Sequence, residues 1–351
     1  VTDSGRGNRG KRHEDRLADL DEVAAAEVVP QEEATAPRPR SGRLARSTAF
    51  FSIATGASRI AGLIREIVAA SYFGITPPMS AFTVAFLIPN TVRSLFADAA
   101  IQAAFVPIFT EELERGRRRE AFRLASMLIF LVCVLLGALT ALFILLAPVI
   151  VPVFAPGFEG AQLDLTVSLS RLLFPILLLL GISGLVVGVL NSYDRFSVFA
   201  IAPLFWNIAI IAVLAGLAPA FPEDDQIYAY AIGVLVGTVV QLAMLTYDLR
   251  NTPFGIRRAL IAPFRGRLRE SLGNADVRRV LILMLPVTIS LGLININLLV
   301  NSFFASLVSE EAVAGIDKAF RIYMLPQGIF SVAVSTVLFP TMARYAARGA
   351  F

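Results

Sequence analysis

The chain has 351 residues, 56% of them apolar and 17% charged, with 31 Lys and Arg against 27 Asp and Glu for a formal net charge of +4. A composition this apolar, gathered in long blocks, excludes an ordinary soluble domain and predicts an all-α fold, a polytopic transmembrane helix bundle. With one cysteine, Cys133, and one histidine, His13 in a polar stretch, the chain alone offers no disulfide framework, no Cys/His metal centre and no histidine base within the membrane.

Residues 1–46 are hydrophilic, with nine basic and nine acidic side chains, and read as a disordered, solvated cytoplasmic tail. The first apolar block is long enough to span and stay, so no cleavable signal is expected. Eight hydrophobic segments follow, near 47–73, 79–110, 123–152, 165–191, 197–217, 226–247, 280–309 and 315–343. Each suffices to cross about 30 Å of hydrocarbon as a helix. The third and seventh are the clearest, with no charge between Arg123 and Glu159 or between Arg279 and Glu310. Between segments, basic and non-basic loops alternate: "EELERGRRREAFR" and the stretch from Arg250 to Arg279 hold five and eight arginines, whereas "GITPPMS" and "APAFPEDDQ" hold none. The positive-inside rule then places both termini in the cytoplasm. The domains expected are a six-span lobe over 47–250, a basic cytoplasmic loop over 251–279, and the first two spans of a second lobe over 280–351. A faint repeat, "AFLIPN…AAFVPIF" against "IYMLPQ…TVLFPTM", agrees with paired lobes.

Within the first segment, "SRIAGLIREIVAASYFG" (58–74) carries Arg59, Arg65 and Glu66, and the second carries Arg93. Each arginine at the membrane centre costs about 2.5–3.5 kcal/mol, so these side chains are expected to face an interior, wet cavity. Arg59 and Glu66 are seven apart and share a helix face, with Arg65 about 100° around it. Gly56 and Gly62 flank Arg59 and leave room for close approach. Pro89 frees backbone groups one turn before Arg93. The cations outnumber Glu66 and Asp98, so the guest expected is an anion. Planar guanidiniums match phosphate oxygens two at a time, which favours a phosphate or pyrophosphate. In the plainer alternative, the arginines pair with Glu66 and Asp98 and only pin helices together. Asn295, Asn297 and Asn301 suit a cavity wall and helix-packing hydrogen bonds equally well. No P-loop, HExxH or Cys/His cluster is present, so a carrier without cofactor or metal is expected rather than an enzyme.

The stretches "SRIAGLIREIVAASYFG", "AFLIPNTVRSLFADAAIQAAFVPIF", "APGF" (155–158), "VLNSYDRFSVFAIAPLFWNI" (189–208) and "FRIYMLPQGIFSVAVSTVLFPTM" resemble the MurJ (MviN) lipid II flippase family. Its superfamily also includes MATE drug exporters and polysaccharide exporters. The resemblance covers about residues 47–345. It implies that a lipid-linked peptidoglycan precursor, a polyprenyl pyrophosphate bearing a disaccharide-peptide, is carried across the bacterial cytoplasmic membrane by alternating access between two lobes. Membrane lipids and cell-wall synthesis or division proteins are the implied partners, and nucleic acid is not. The family's cavity residues fall on Arg59, Arg65, Arg93 and Arg321, with Glu66 where Asp is usual. From position alone, Arg321 is equally an interfacial anchor. Some positions depart from the family pattern: Ser80 stands for an Asp, Arg93-Ser94 for an Arg pair, Asp98-Ala99 for Glu-Gly, and Met324 for a frequent Glu. The family's chains also carry more spans than the eight read here, which implies a chain cut short after the eighth. Two alternatives stay open: a MATE-like exporter, which would call for an acidic cavity, and a truncated, non-transporting partner of the wall-synthesis machinery.

Overall fold

The computed structural model describes residues 41–96, 99–323 and 342, without the side chains of 41–49, 51–52, 92–96, 99–103 and 291–296. The tail over 1–40, Asp98, Met324 and most of the second copy of the repeat therefore lie outside the described residues, as do the side chains of Arg93 and Asn295. Contacts divide the chain into residues 1–49 and residues 50–351. In the first unit, 41–49 are helical; the architecture below is that of the second.

The helices are α1 (Ser41–Phe73), α2 (Pro77–Phe96), α3 (Ala99–Glu114), α4 (Arg118–Phe154), α5 (Gly160–Leu173), α6 (Pro175–Asn191), α7 (Ser197–Leu217), α8 (Gln226–Asp248), α9 (Ile256–Arg265), α10 (Leu268–Gly273) and α11 (Ala275–Val308). A last helix, α12, runs from 312 and is described to 323. Two differences from the expected segments have plain causes. The fourth segment is two helices, because Pro175 lacks an N–H and its ring crowds the carbonyl four residues back, which divides α5 from α6 at Phe174. The expected loop over 251–279 carries α9, α10 and the start of α11. There "IRRALIAPFR" buries Ala259 and Ala262 and leaves its arginines outside. Asn274 starts α11 by accepting from the N–H groups of Asp276 and Val277 at 3.0 Å each.

Among the described residues, Arg118–Phe154, Gly160–Asn191, Ser197–Ala220 and Glu223–Asn251 are long and apolar enough to cross a membrane. On α4, Leu135, Leu142, Leu145, Val149 and Val153 stand exposed at helical spacing, a stripe suited to lipid contact. The protein is thus a multi-pass membrane protein built as a helical bundle. α7 and α8 approach closely through "GVLVG" on α8: a Cβ on Gly237 would lie 2.9 Å from the Trp206 carbonyl oxygen, and one on Gly233 would lie 3.1 Å from that of Ile210. Phe105, Phe109, Leu124, Leu190 and Phe254 centre one apolar core, and Phe82, Leu173, Ile210 and Tyr230 centre another.

At the Phe154 end of α4, α11 and α12 are fastened to the earlier helices. The Gly157 N–H donates to Ser306 Oγ at 3.2 Å, and Gln162 Nε2 donates to the Glu310 carbonyl at 2.9 Å. Ser80 Oγ on α2 accepts from the Ala314 N–H at 3.1 Å. Because the first N–H groups of a helix have no partner within it, Ser80 in effect caps α12 from another helix. Val84, Phe158, Ala305 and Val313 seal this seam.

Candidate functional site

The cap at Ser80 fixes the start of α12, and the next turns deliver Asp317, Lys318 and Arg321 to α1. Their target is Glu66. Its Oε1 accepts from Arg65 Nη2 and forms an ion pair with Arg321 Nη1 at 2.8 Å, while Oε2 accepts from Lys318 Nζ at 2.9 Å. Arg321 Nε donates back to Asp317 Oδ2 at 2.8 Å, one helical turn away on α12. The side chains of Arg65, Glu66 and Lys318 are 11%, 16% and 14% exposed, so water screens their attraction little. Arg321, at 41%, forms the open side. Among the described residues, three cations share two carboxylates, which leaves a surplus positive charge.

Arg65 is held from behind. Its guanidinium lies over the Trp206 ring of α7, 4.9 Å from the centroid. Trp206 Nε1 donates to Thr238 Oγ1 of α8 at 3.2 Å, and Thr238 Oγ1 in turn donates to the Val234 carbonyl at 2.8 Å, which fixes the indole. Arg65 Nε is buried and has no hydrogen-bond partner among the described residues. An unsatisfied buried donor beside surplus positive charge is a place for an anion's oxygen.

Of the residues singled out by sequence, the structure brings Arg65, Glu66 and Arg321 together. Arg59 stands apart: it is exposed and makes no ion pair among the described residues. Seven residues along a helix is about 10 Å, so a shared face does not mean a shared contact. Gly62 lets α1 approach Asn207, whose amide would lie 3.8 Å from an added Cβ, while Gly56 faces open space. Arg93 lies on α2 with its side chain outside the description, and Asn297 and Asn301 are exposed. Sequence reasoning missed Lys318 and Asp317 as site residues. The signal was there: Lys318 is the lone basic residue of "SEEAVAGIDK", and Asp317 precedes Arg321 by four.

The family model described as Lipid II flippase MurJ matches residues 69–350. The "Probable lipid II flippase MurJ" of Rhizobium meliloti (strain 1021) is 38% identical over 308 residues, which cover 86% of this chain and 55% of that protein. The "Lipid II flippase MurJ" of Burkholderia cenocepacia is 32% identical over 290 residues, covering 82% and 54%. The chain thus spans about half the length of the curated relatives it matches. Among solved structures, "Lipid II flippase MurJ, inward closed conformation" superposes with a TM-score of 0.67 at 26% identity, covering 82% of this chain and 57% of that one. An inward-facing multidrug resistance MATE family transporter superposes with a TM-score of 0.58 at 16% identity, covering 79% and 57%, a likeness of fold alone.

Proposed function

Since the chain belongs to the lipid II flippase MurJ family, we propose that it carries the lipid-linked peptidoglycan precursor across the bacterial cytoplasmic membrane and receives the diphosphate at the Glu66 cluster. The observation that carries this reading is the surplus of cations around one shared carboxylate, with Arg65 Nε unpaired and Arg321 partly open. Paired guanidinium donors suit phosphate oxygens, and Glu66 serves as the internal counter-ion that keeps them in place when no substrate is bound. The polyprenyl tail stays in lipid, so only the head group crosses, and no bond is made or broken. Arg59 and Arg93 belong to the same proposal as basic groups along the approach.

Alternating access follows from the same contacts. Glu66 ties α1 to α12, so a diphosphate that takes over the donors of Lys318 and Arg321 loosens that tie and favours a different arrangement of the helices. In this reading α1–α8 form one lobe and α11–α12 begin its partner, with both termini on the arginine-rich, cytoplasmic side. The inside-negative potential assists outward movement of an anionic head by up to about 2.3 kcal/mol per charge per 100 mV.

The test is growth of cells depleted of their own flippase, rescued by the chain or by Arg59→Ala, Arg65→Ala, Arg93→Ala or Arg321→Ala. The parent chain is expected to restore growth, and Arg65→Ala and Arg321→Ala to abolish it. Failure of the parent, or growth of every variant at the parent's rate, overturns the proposal.

A further inference from the structure

At the other end of the bundle, α9 and α10 fold back on the first turns of α4 and enclose a cavity of about 700 Å3. We propose that this pocket binds the headgroup of an anionic glycerophospholipid, independently of the transport reading above.

Charge, depth and shape argue for it together. Arg257, Arg265 and Arg267 line the cavity, are exposed, and make no ion pair among the described residues. Two further arginines of the wall are already committed: Arg123 Nη2 pairs with Glu270 at 2.7 Å, and Arg258 Nη1 donates to the Pro253 and Phe254 carbonyls at 2.9 Å each. Arg258 also stacks on Phe122 at 4.8 Å, so it braces the wall and leaves the other three for a ligand. Ser271 Oγ, on a residue 1% exposed that lines the same cavity, has no hydrogen-bond partner among the described residues. A buried hydroxyl without a partner beside three uncommitted guanidiniums suits phosphate oxygens.

Depth comes from α4. Arg123 is its last charged residue before the uncharged run to Glu159, so the pocket sits where the apolar span begins. Next to the arginines, Leu260 and Phe264 of α9 are 58% and 87% exposed. An arginine face beside exposed large apolar side chains is how a helix lies in a membrane interface, headgroups on one side and acyl chains below the other. A free phosphate would satisfy the arginines but would leave Leu260 and Phe264 unexplained. The hairpin is pressed firmly onto α4, because a Cβ on Gly266 would collide with the Phe130 ring.

The experiment titrates the purified full chain, in neutral detergent, with short-chain phosphatidylglycerol, short-chain phosphatidylcholine and inorganic phosphate, with binding read by calorimetry. Phosphatidylglycerol is expected to bind saturably, and the triple variant Arg257→Gln/Arg265→Gln/Arg267→Gln to weaken it at least about tenfold, as the loss of three interfacial cations requires. A control with the same loss of charge outside the pocket, Arg115→Gln/Arg119→Gln/Arg269→Gln, is expected to bind like the parent. Helix content and elution volume check that both variants fold. Three results each overturn the proposal: unchanged binding by the pocket variant, equal weakening by the control, which would mean diffuse attraction, or phosphate or phosphatidylcholine binding as tightly as phosphatidylglycerol.

Discussion

Replacing Glu66 by Gln keeps the shape of the side chain and removes the charge that three cations share. Two unit charges about 4 Å apart attract by about 4 kcal/mol at an effective dielectric constant of about 20. Arg65 and Lys318 are shielded enough for that scale to apply, whereas the pair with the more exposed Arg321 contributes about 1 kcal/mol or less. Part of this attraction offsets the desolvation of Glu66 itself. The larger consequence is that Arg65 and Lys318 are left as buried charges without their shared carboxylate, and breaking a buried pair in this way costs about 3–5 kcal/mol. For a chain of 351 residues that corresponds to a fall in melting temperature of about 4–7 °C, measurable by circular dichroism in detergent. The anion reading adds a second expectation. With the internal counter-ion gone, inorganic pyrophosphate, as a soluble probe, should bind the variant more tightly than the parent and raise its melting temperature further, since stabilisation grows as RT ln(1 + [L]/Kd). An unchanged melting temperature would refute the energetic argument. Equal or smaller stabilisation of the variant by pyrophosphate would refute the idea that Glu66 and the guest compete for the same donors.

Ser80→Ala should lower thermal stability by about 1–3 kcal/mol, because it leaves the buried Ala314 N–H without its acceptor at the start of α12; thermal unfolding in detergent checks this. Trp206 is the chain's one tryptophan and lies under the Arg65 guanidinium, so its fluorescence reports directly on the site. Arg65→Ala should change the emission maximum and remove any response to pyrophosphate, while Arg269→Gln, remote on α10, should change neither.

The membrane class, the helical bundle and the unusual standing of α1 were legible because they depend on local quantities: apolar run length and charges set within such runs. Local chemistry also marked helix boundaries that hydropathy blurred. Pro175 dictates the break after α5, and Asn274 the start of α11. The amphipathic α9 was hidden for the opposite reason, since the eight arginines from Arg250 to Arg279 dominate composition while the apolar face that shapes it is only a few residues wide. The site was half legible. Spacing on α1 identified Arg65 and Glu66 but could not say which helix answers them, because partner choice depends on where α12 is anchored. That anchor is a backbone hydrogen bond to Ser80, which has no sequence signature. Lys318, the lone basic residue of "SEEAVAGIDK", lies within α12, which begins at 312.

Where the resembling family usually has Asp, Ser80 supplies an oxygen to the first turn of α12, and an aspartate could accept from the same N–H. The exchange keeps the hydrogen bond and gives up a negative charge near a helix N-terminus, an electrostatic contribution of about 0.3–1 kcal/mol. It also leaves one acidic group fewer on the α2 side of the seam that Gln162 and Gly157 help close. The seam therefore depends on neutral hydrogen bonds and small apolar contacts, and the charge holding α12 to α1 is concentrated on Glu66. A ligand that competes for Lys318 and Arg321 acts on the charged tie between α12 and α1, while the neutral contacts at Ser80, Gln162 and Gly157 stay in place and α11 keeps its pair between Arg279 Nη1 and Glu111 Oε2 at 3.2 Å.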